Sequence, residues 1–254
     1  MLKWRPLFWL LVLALTACGS QKNSANVKKS NAGDPSQINA SLCTAYFKKK
    51  NYKIALRRCD KSLAHNPDNA NAHKWKAVLH QHLGQDTLAE KHFRRAVELA
   101  PNDSGAHNNF GTFLCRHKRY QQAEKHFLKA LSDPLYGSRH FAYLNAGICM
   151  QSSGNSDKAE KYYRASLKIV PRFAPALIRM AQLTFRQNKC ISALGFMRRW
   201  AKKSNWSSES LWLAMNVEKK CGDFNKFTRY GLLLKARFPT SVEASKFKQR
   251  KRRY

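Results

Sequence analysis

Residues 70–101 read ANAHKWKAVLHQHLGQDTLAEKHFRRAVELAP. Ala77, Ala89 and Ala96 recur around one aromatic, Phe93, and the stretch ends in Pro101. Pro101 follows Pro67 by 34 residues, Pro239 follows Pro171 by 68, and Pro101 and Pro171 are 70 apart. The chain therefore repeats every 34 residues through six units, with two extra residues in the middle. The unit from Ser104 carries Gly111, Ala123, Phe127 and Ala130, and the unit from His140 carries Gly147, Ala159, Tyr163, Ser166 and Pro171. The outer units are weaker. The first keeps Tyr46, Ala55, Ser62 and Pro67; the fifth keeps Ala181 and Ala193 but has Asn205 where proline would stand; the sixth keeps Gly222, Phe224 and Pro239, with Phe227 in place of alanine.

This pattern resembles the tetratricopeptide repeat, whose units are 34 residues long and commonly end in proline. The resemblance implies an all-α chain, a right-handed superhelix of six helix-turn-helix repeats at about 36–69, 70–103, 104–139, 140–173, 174–207 and 208–241. The physics agrees. Helices approach closely only where facing residues are small, and one helix pair cannot bury its apolar face until a neighbour stacks on it. Proline closes each unit because it cannot continue the hydrogen-bond ladder. The inserted residues fall around Ser132-Asp133-Pro134-Leu135-Tyr136-Gly137-Ser138, whose Asp-Pro and Gly-Ser pairs are turn chemistry.

Ahead of the repeats, Lys3 and Arg5 precede an apolar run from Leu7 to Ala17. That run is far short of the roughly 20 residues that span a bilayer core, so it reads as the apolar region of a secretory signal. It ends in Leu15-Thr16-Ala17-Cys18 with Gly19 next, which resembles a bacterial lipobox. The resemblance implies cleavage after residue 17 and a covalent lipid on Cys18. Because no aspartate follows the cysteine, it also implies an outer-membrane anchor facing the periplasm. After Cys18, the stretch to Pro35 is mostly Ser, Asn, Lys, Gly and Gln with almost nothing apolar, and residues 18–35 read as the lipidated cysteine and a flexible tether. At the other end, residues 244–254 hold Lys246, Lys248, Arg250, Lys251, Arg252 and Arg253 and read as a solvated basic tail.

The formal charge is +32, and loss of Lys3 and Arg5 with residues 1–17 leaves +30. Such a balance suits an anionic partner. In an exported chain this means lipid head groups, cell-wall polymer or an acidic protein rather than nucleic acid.

Two segments go further than repeat consensus. One is Asn108-Asn109-Phe110-Gly111-Thr112-Phe113-Leu114, with Lys118-Arg119-Tyr120 and Leu131-Ser132-Asp133-Pro134-Leu135-Tyr136 after it. The other is Tyr230-Gly231-Leu232-Leu233-Leu234-Lys235 followed by Phe238-Pro239. With a lipobox and six units, the chain resembles the PilF/PilW family of type IV pilus biogenesis lipoproteins. That resemblance implies a pilotin, a scaffold on the outer membrane that promotes localisation and multimer assembly of the pilus secretin. The alternative is an envelope adaptor of the same fold that recruits cell-wall hydrolases or outer-membrane assembly factors.

No nucleophile elbow, phosphate loop or paired carboxylates appear, and the expectation is no enzyme, no cofactor beyond the lipid, no metal and no small-molecule substrate. His80 and His82 are two apart on one helix and point apart, so they are poor joint ligands. Six cysteines remain besides Cys18. Cys43 and Cys59 face each other across the first unit, equidistant from its turn, so a disulfide is feasible there. Cys115 with Cys149 and Cys190 with Cys221 are further pairings, and six small buried fillers are the other reading. The binding surface is expected on the first helices of units two to four, through Asn71, Lys74, Val78, Gln81, Asn108, Thr112, Phe141, Leu144 and Ile148. Asn108 beside exposed Phe141, Leu144 and Ile148 would suit a peptide with apolar side chains and unpaired backbone groups. A solenoid of this kind is expected to be monomeric.

Overall fold

The computed structural model describes residues 33–202, 205–221 and 223–251, with side chains up to residue 249. The signal segment, Cys18 and most of the expected tether fall outside the described residues, as does Gly222. From Asp34 onward the chain forms one compact unit.

Among the described residues there are thirteen α-helices and no strand. They are α1 (Pro35–Lys48) and α2 (Tyr52–His65), α3 (Ala70–His82) and α4 (Asp86–Leu99), α5 (Ser104–Arg116) and α6 (Tyr120–Leu131). Then come α7 (Arg139–Ser152) and α8 (Ser156–Ile169), α9 (Ala174–Arg186) and α10 (Cys190–Ala201), α11 (Ser208–Cys221) and α12 (Phe224–Arg237). A thirteenth helix, α13, runs Val242–Lys251. The first twelve make six helix-turn-helix pairs. The longest connection between pairs is 132–138, where the Asp133 carboxylate accepts the Leu135 N–H at 2.8 Å.

Each hairpin is set locally. Lys50, Gly84, Lys118, Gly154 and Asn188 occupy the same place in successive units, the fifteenth residue, and all have φ between 60° and 85°. The chain must enter the left-handed region there to reverse direction, which glycine does freely and lysine does not. Asn51, Asn69, Asp103, Asn155 and Asp223 then cap helix starts by accepting the N–H three residues on.

Packing explains why small residues recur. A Cβ on Gly111 would come within 2.9 Å of the Phe127 ring, and one on Gly147 would overlap the Tyr163 ring. Phe93, Phe127 and Tyr163 are fully buried together with Ala77, Ala89, Ala123 and Ala159 in one continuous core. A second contact recurs between the fourth residue of a unit and its twenty-third. Asn39 meets Arg58 at 3.3 Å, His73 meets His92 at 2.8 Å, and His107 meets His126 at 2.8 Å. The Nε2 atoms of His73 and His107 reach the carbonyls of Pro67 and Pro101, at 2.9 and 3.1 Å. If those atoms donate, the Nδ1 of His73 and of His107 is left to accept from the partner ring, so these two rings are neutral. Burial first, then the charge of Lys76 and the penalty of a second charge facing His73, pushes His92 down to about 4. Burial, then His107, does the same to His126, also to about 4.

Three disulfides tie the stack. Cys43–Cys59 joins α1 to α2, with Cα atoms 5.3 Å apart. Cys115–Cys149 joins α5 to α7 at 5.6 Å, and Cys190–Cys221 joins α10 to α11 at 5.5 Å.

The C-terminal segment corrects the expectation of a free basic tail over 244–254. It begins as α13, which packs on α11 and α12. Ala244 is fully buried and Phe247 is 3% exposed, while Lys246 and Lys248 face solvent. Among the described residues no further helix pair covers the sixth unit, and without α13 the apolar faces of Leu211, Met215 and Leu234 would be wet. Gly231 makes room for this cap, since any Cβ there would overlap the Phe247 ring.

Candidate protein-binding groove

The first helices of successive units touch one another: α1 meets α3, α3 meets α5, α5 meets α7, α7 meets α9 and α9 meets α11. Successive second helices make no comparable contact among the described residues. The stack is therefore tighter on the first-helix side, and that side is its inner face.

On this face the structure divides the expected binding residues into three groups. Asn71, Val78 and Gln81 are half-buried, with Val78 packed on the core. Lys74 is also half-buried, but its ammonium pairs at 2.7 Å with Asp103, the residue that caps α5 of the next unit. Burial alone would raise the Asp103 carboxyl. The Lys74 hydrogen bond and charge, with the N–H groups of Ala106 and Gly105, bring it below its ordinary value instead. Lys74 thus serves the contact between units, and its charge is already compensated.

Asn108 is 8% exposed and accepts a hydrogen bond from the Asn145 side chain at 3.1 Å. Thr112 donates to the Asn108 carbonyl at 2.9 Å, which spends its hydroxyl hydrogen. The Asn108–Asn145 pair links α5 to α7. With the remaining amide hydrogens it offers the kind of donor and acceptor set that an extended backbone needs. Asn145 was not among the expected residues, although Asn109 stands at the same place one unit earlier.

The apolar trio is corrected in part. Phe141 is 45% exposed and stacks edge-on against Phe173, with ring centroids 4.9 Å apart. His140 lies 4.4 Å from Phe141 and 4.9 Å from Phe173, so three aromatic rings form one patch. Leu144, in contrast, is only 7% exposed and belongs to the main core, and Ile148 packs against that core. The cause is the contact of α7 with both α5 and α9, which closes the part of the helix that a free helix would present.

Further along, a cleft of about 290 Å³ opens among Gln182, Phe185, Arg186, Glu209, Trp212 and Asn216 on α9 and α11. It lies in units five and six, beyond the units two to four on which the binding surface was expected. Among the described residues, no group of three or more His, Cys, Asp or Glu side chains is placed to hold a metal ion. No described helix is long and apolar enough to cross a membrane.

Models of the tetratricopeptide repeat match residues 42–104 and 102–172. Over nearly its whole length the chain is similar to the type IV pilus assembly protein PilF of Pseudomonas aeruginosa. The two are 27% identical over 246 residues, which cover 96% of this chain and 98% of that protein. An uncharacterized protein of Haemophilus influenzae is 31% identical over 142 residues, covering 56% of this chain and 77% of its own. The crystal structure of PilW, a widely conserved type IV pilus biogenesis factor, superposes with a TM-score of 0.79 at 29% identity, covering 85% of this chain and 99% of PilW. The Pseudomonas aeruginosa PilF structure gives 0.78 at 26% identity, with 85% and 97% covered. Stacked helix pairs alone would match many proteins, but coverage from end to end at this identity is more than a shared fold: the chain is a homologue of PilF and PilW, type IV pilus biogenesis tetratricopeptide proteins.

Proposed function

We propose that this chain is a pilotin: a non-catalytic scaffold, anchored to the outer membrane through lipid on Cys18, that brings pilus secretin subunits to that membrane and promotes their assembly into a multimer. The observation that carries this reading is the end-to-end similarity to PilF, which is itself a type IV pilus assembly protein. The inner face adds a physical basis. The amide pair of Asn108 and Asn145, flanked by the Phe141–Phe173 patch, suits a segment with an extended backbone and apolar side chains.

The anchor rests on the Leu15-Thr16-Ala17-Cys18 signature. Several acyl chains on one cysteine would hold firmly, since each buried methylene contributes about 0.8 kcal/mol. The test is deletion of the gene followed by gel analysis of outer membranes. Loss of the heat-resistant secretin multimer supports a pilotin, and undiminished multimers overturn it. In the same strain, Cys18→Ser should leave the protein in the soluble fraction or as precursor. Normal membrane fractionation of that variant would remove the lipid anchor from the proposal.

A further inference from the structure

Glu218 lies on α11, near the end of the first helix of the last unit, and is 6% exposed. Its carboxylate makes no hydrogen bond or ion pair with any described residue; the nearby Lys226 pairs instead with Asp223, at 2.6 Å. The same place in earlier units is filled differently. It holds Leu114 and Met150, at 1% and 3% exposure, and Thr184, whose hydroxyl donates to the Met180 carbonyl. In the second unit it holds His80, whose Nδ1 lies 2.6 Å from the Gln85 side-chain oxygen. The repeat therefore asks here for an apolar or satisfied side chain, and only the last unit supplies an unpaired acid. Burial raises its carboxyl above the ordinary value, against the lowering effect of Lys226 and Arg198.

The acid does not sit in solid core. It lines a cleft of about 380 Å³ between α10 and α12, walled by Met197 and Val217 and by the rings of Trp206 and Tyr230, whose centroids are 5.3 Å apart. Arg198 and Lys202 stand at its exposed edge. A carboxylate with no hydrogen-bond partner in a largely apolar cleft, only partly offset by the charges of Lys226 and Arg198, is costly to the fold, and aromatic faces beside it add attraction for a cation. The cleft walls would take the aliphatic stem of a long basic side chain while its charged head meets the acid.

We propose that this cleft receives an arginine or lysine side chain of a protein partner, carried on a segment whose flanking residues are acidic. The basic edge supplies the second half of the match: Arg198 and Lys202 repel a bare cation but pair with carboxylates beside it. The cleft is on the second-helix side, away from the inner groove, so its failure would leave the pilotin reading standing, and the reverse also holds.

The test uses the mature full-length chain and two acetylated, amidated peptides, Asp-Arg-Asp and the same peptide with citrulline, which keeps the shape of arginine and removes its charge. Binding is read by titration calorimetry and by the Trp206 indole N–H signal. The arginine peptide should move that signal, and citrulline should weaken binding about tenfold or more. Glu218→Gln should cost as much with the arginine peptide and almost nothing further with the citrulline one. Equal affinity for the two peptides, no response at millimolar peptide, or an unchanged affinity in Glu218→Gln would each overturn the proposal. Stability is an independent readout. Glu218→Met, copying Met150 of the fourth unit, should raise Tm by about 2–4 °C for each kcal/mol recovered. A lower Tm would mean that the acid supports the fold, which also overturns the proposal.

Discussion

The second and third units differ from the sixth in how much each owes to its neighbours. The second and third are close to interchangeable. Each has a histidine pair, an Asn or Asp cap that opens the first helix, and a buried phenylalanine under a small residue, and each is covered on both sides by a unit like itself. The sixth has no described unit beyond it. Its core is finished by α13, its glycine at residue 231 faces a phenylalanine from outside the repeat, and it carries the unpaired Glu218. Interior units are thus constrained to match their neighbours, while the end is free to depart from consensus and is built from parts that consensus does not describe.

Removing one aromatic from each region separates the two most sharply. Phe127→Ala in the third unit empties the middle of the continuous core and should cost about 3–5 kcal/mol, seen as a lower urea midpoint for the whole array. Phe247→Ala should instead release α13 locally, with hydrogen exchange rising over residues 208–251 and little change in units two and three. If both variants lowered the global midpoint alike, the terminal unit would be as integral as the interior ones.

The first unit has no described helix pair before it and is stapled by a disulfide. Replacing Cys43 and Cys59 by alanine should cost about 3 kcal/mol, as expected for a loop of this length. The loss should appear as faster exchange in α1 and α2, and protection equal to the parent would rule the staple out as a stabiliser.

The histidine pairs make an interior-specific prediction about pH. His92 and His126 are lowered to about 4 in the fold against an ordinary value near 6.5. Between those values the unfolded chain binds more protons, so stability rises with pH across this window and is lost as pH falls from 6.5 towards 4. Urea midpoints measured from pH 7 to 4 should fall. The fall should shrink in a His92→Phe, His126→Phe double variant, because the fifth unit already carries Phe196 at that place. An unchanged slope would show that the pairs do not set it.

The smallest effect concerns the turns. Lys118 holds a left-handed conformation that Gly84 and Gly154 adopt in the flanking units. Lys118→Gly should therefore stabilise the protein by about 0.5–1 kcal/mol, measured by thermal unfolding.

The architecture was legible because the prolines, the alanines and the aromatic at its fixed place are demanded by close helix crossings, which repeat with the chain. The terminal helix was not. Its apolar residues, Ala244 and Phe247, are outnumbered by Lys246, Lys248 and their basic neighbours, so local composition reads as solvent-facing. The signal was Gly231, but a glycine reports close approach without naming what approaches. The groove was legible by position and misread by exposure. Leu144 lies on the inner side, yet α5 and α9 close over it, and the carboxylate that occupies Lys74 belongs to the residue that caps α5. Which side chains remain open depends on contacts between helices, which a repeat consensus does not encode. Asn145 and Glu218 were missed for a related reason: each matters for the partner it has or lacks in three dimensions.

The three disulfides have a mechanical consequence. A chain pulled by its ends can lengthen by at most about 3.5 Å for each residue that unravels. The segments between Cys43 and Cys59, Cys115 and Cys149, and Cys190 and Cys221 are withheld from that extension while the bonds stand. In an oxidising compartment, therefore, a load passed through the folded body would draw out the stretches outside the closed loops, which hold the second unit, α8 with α9, and α12 with α13. The reach of the protein under tension is set by its redox state as well as by its length.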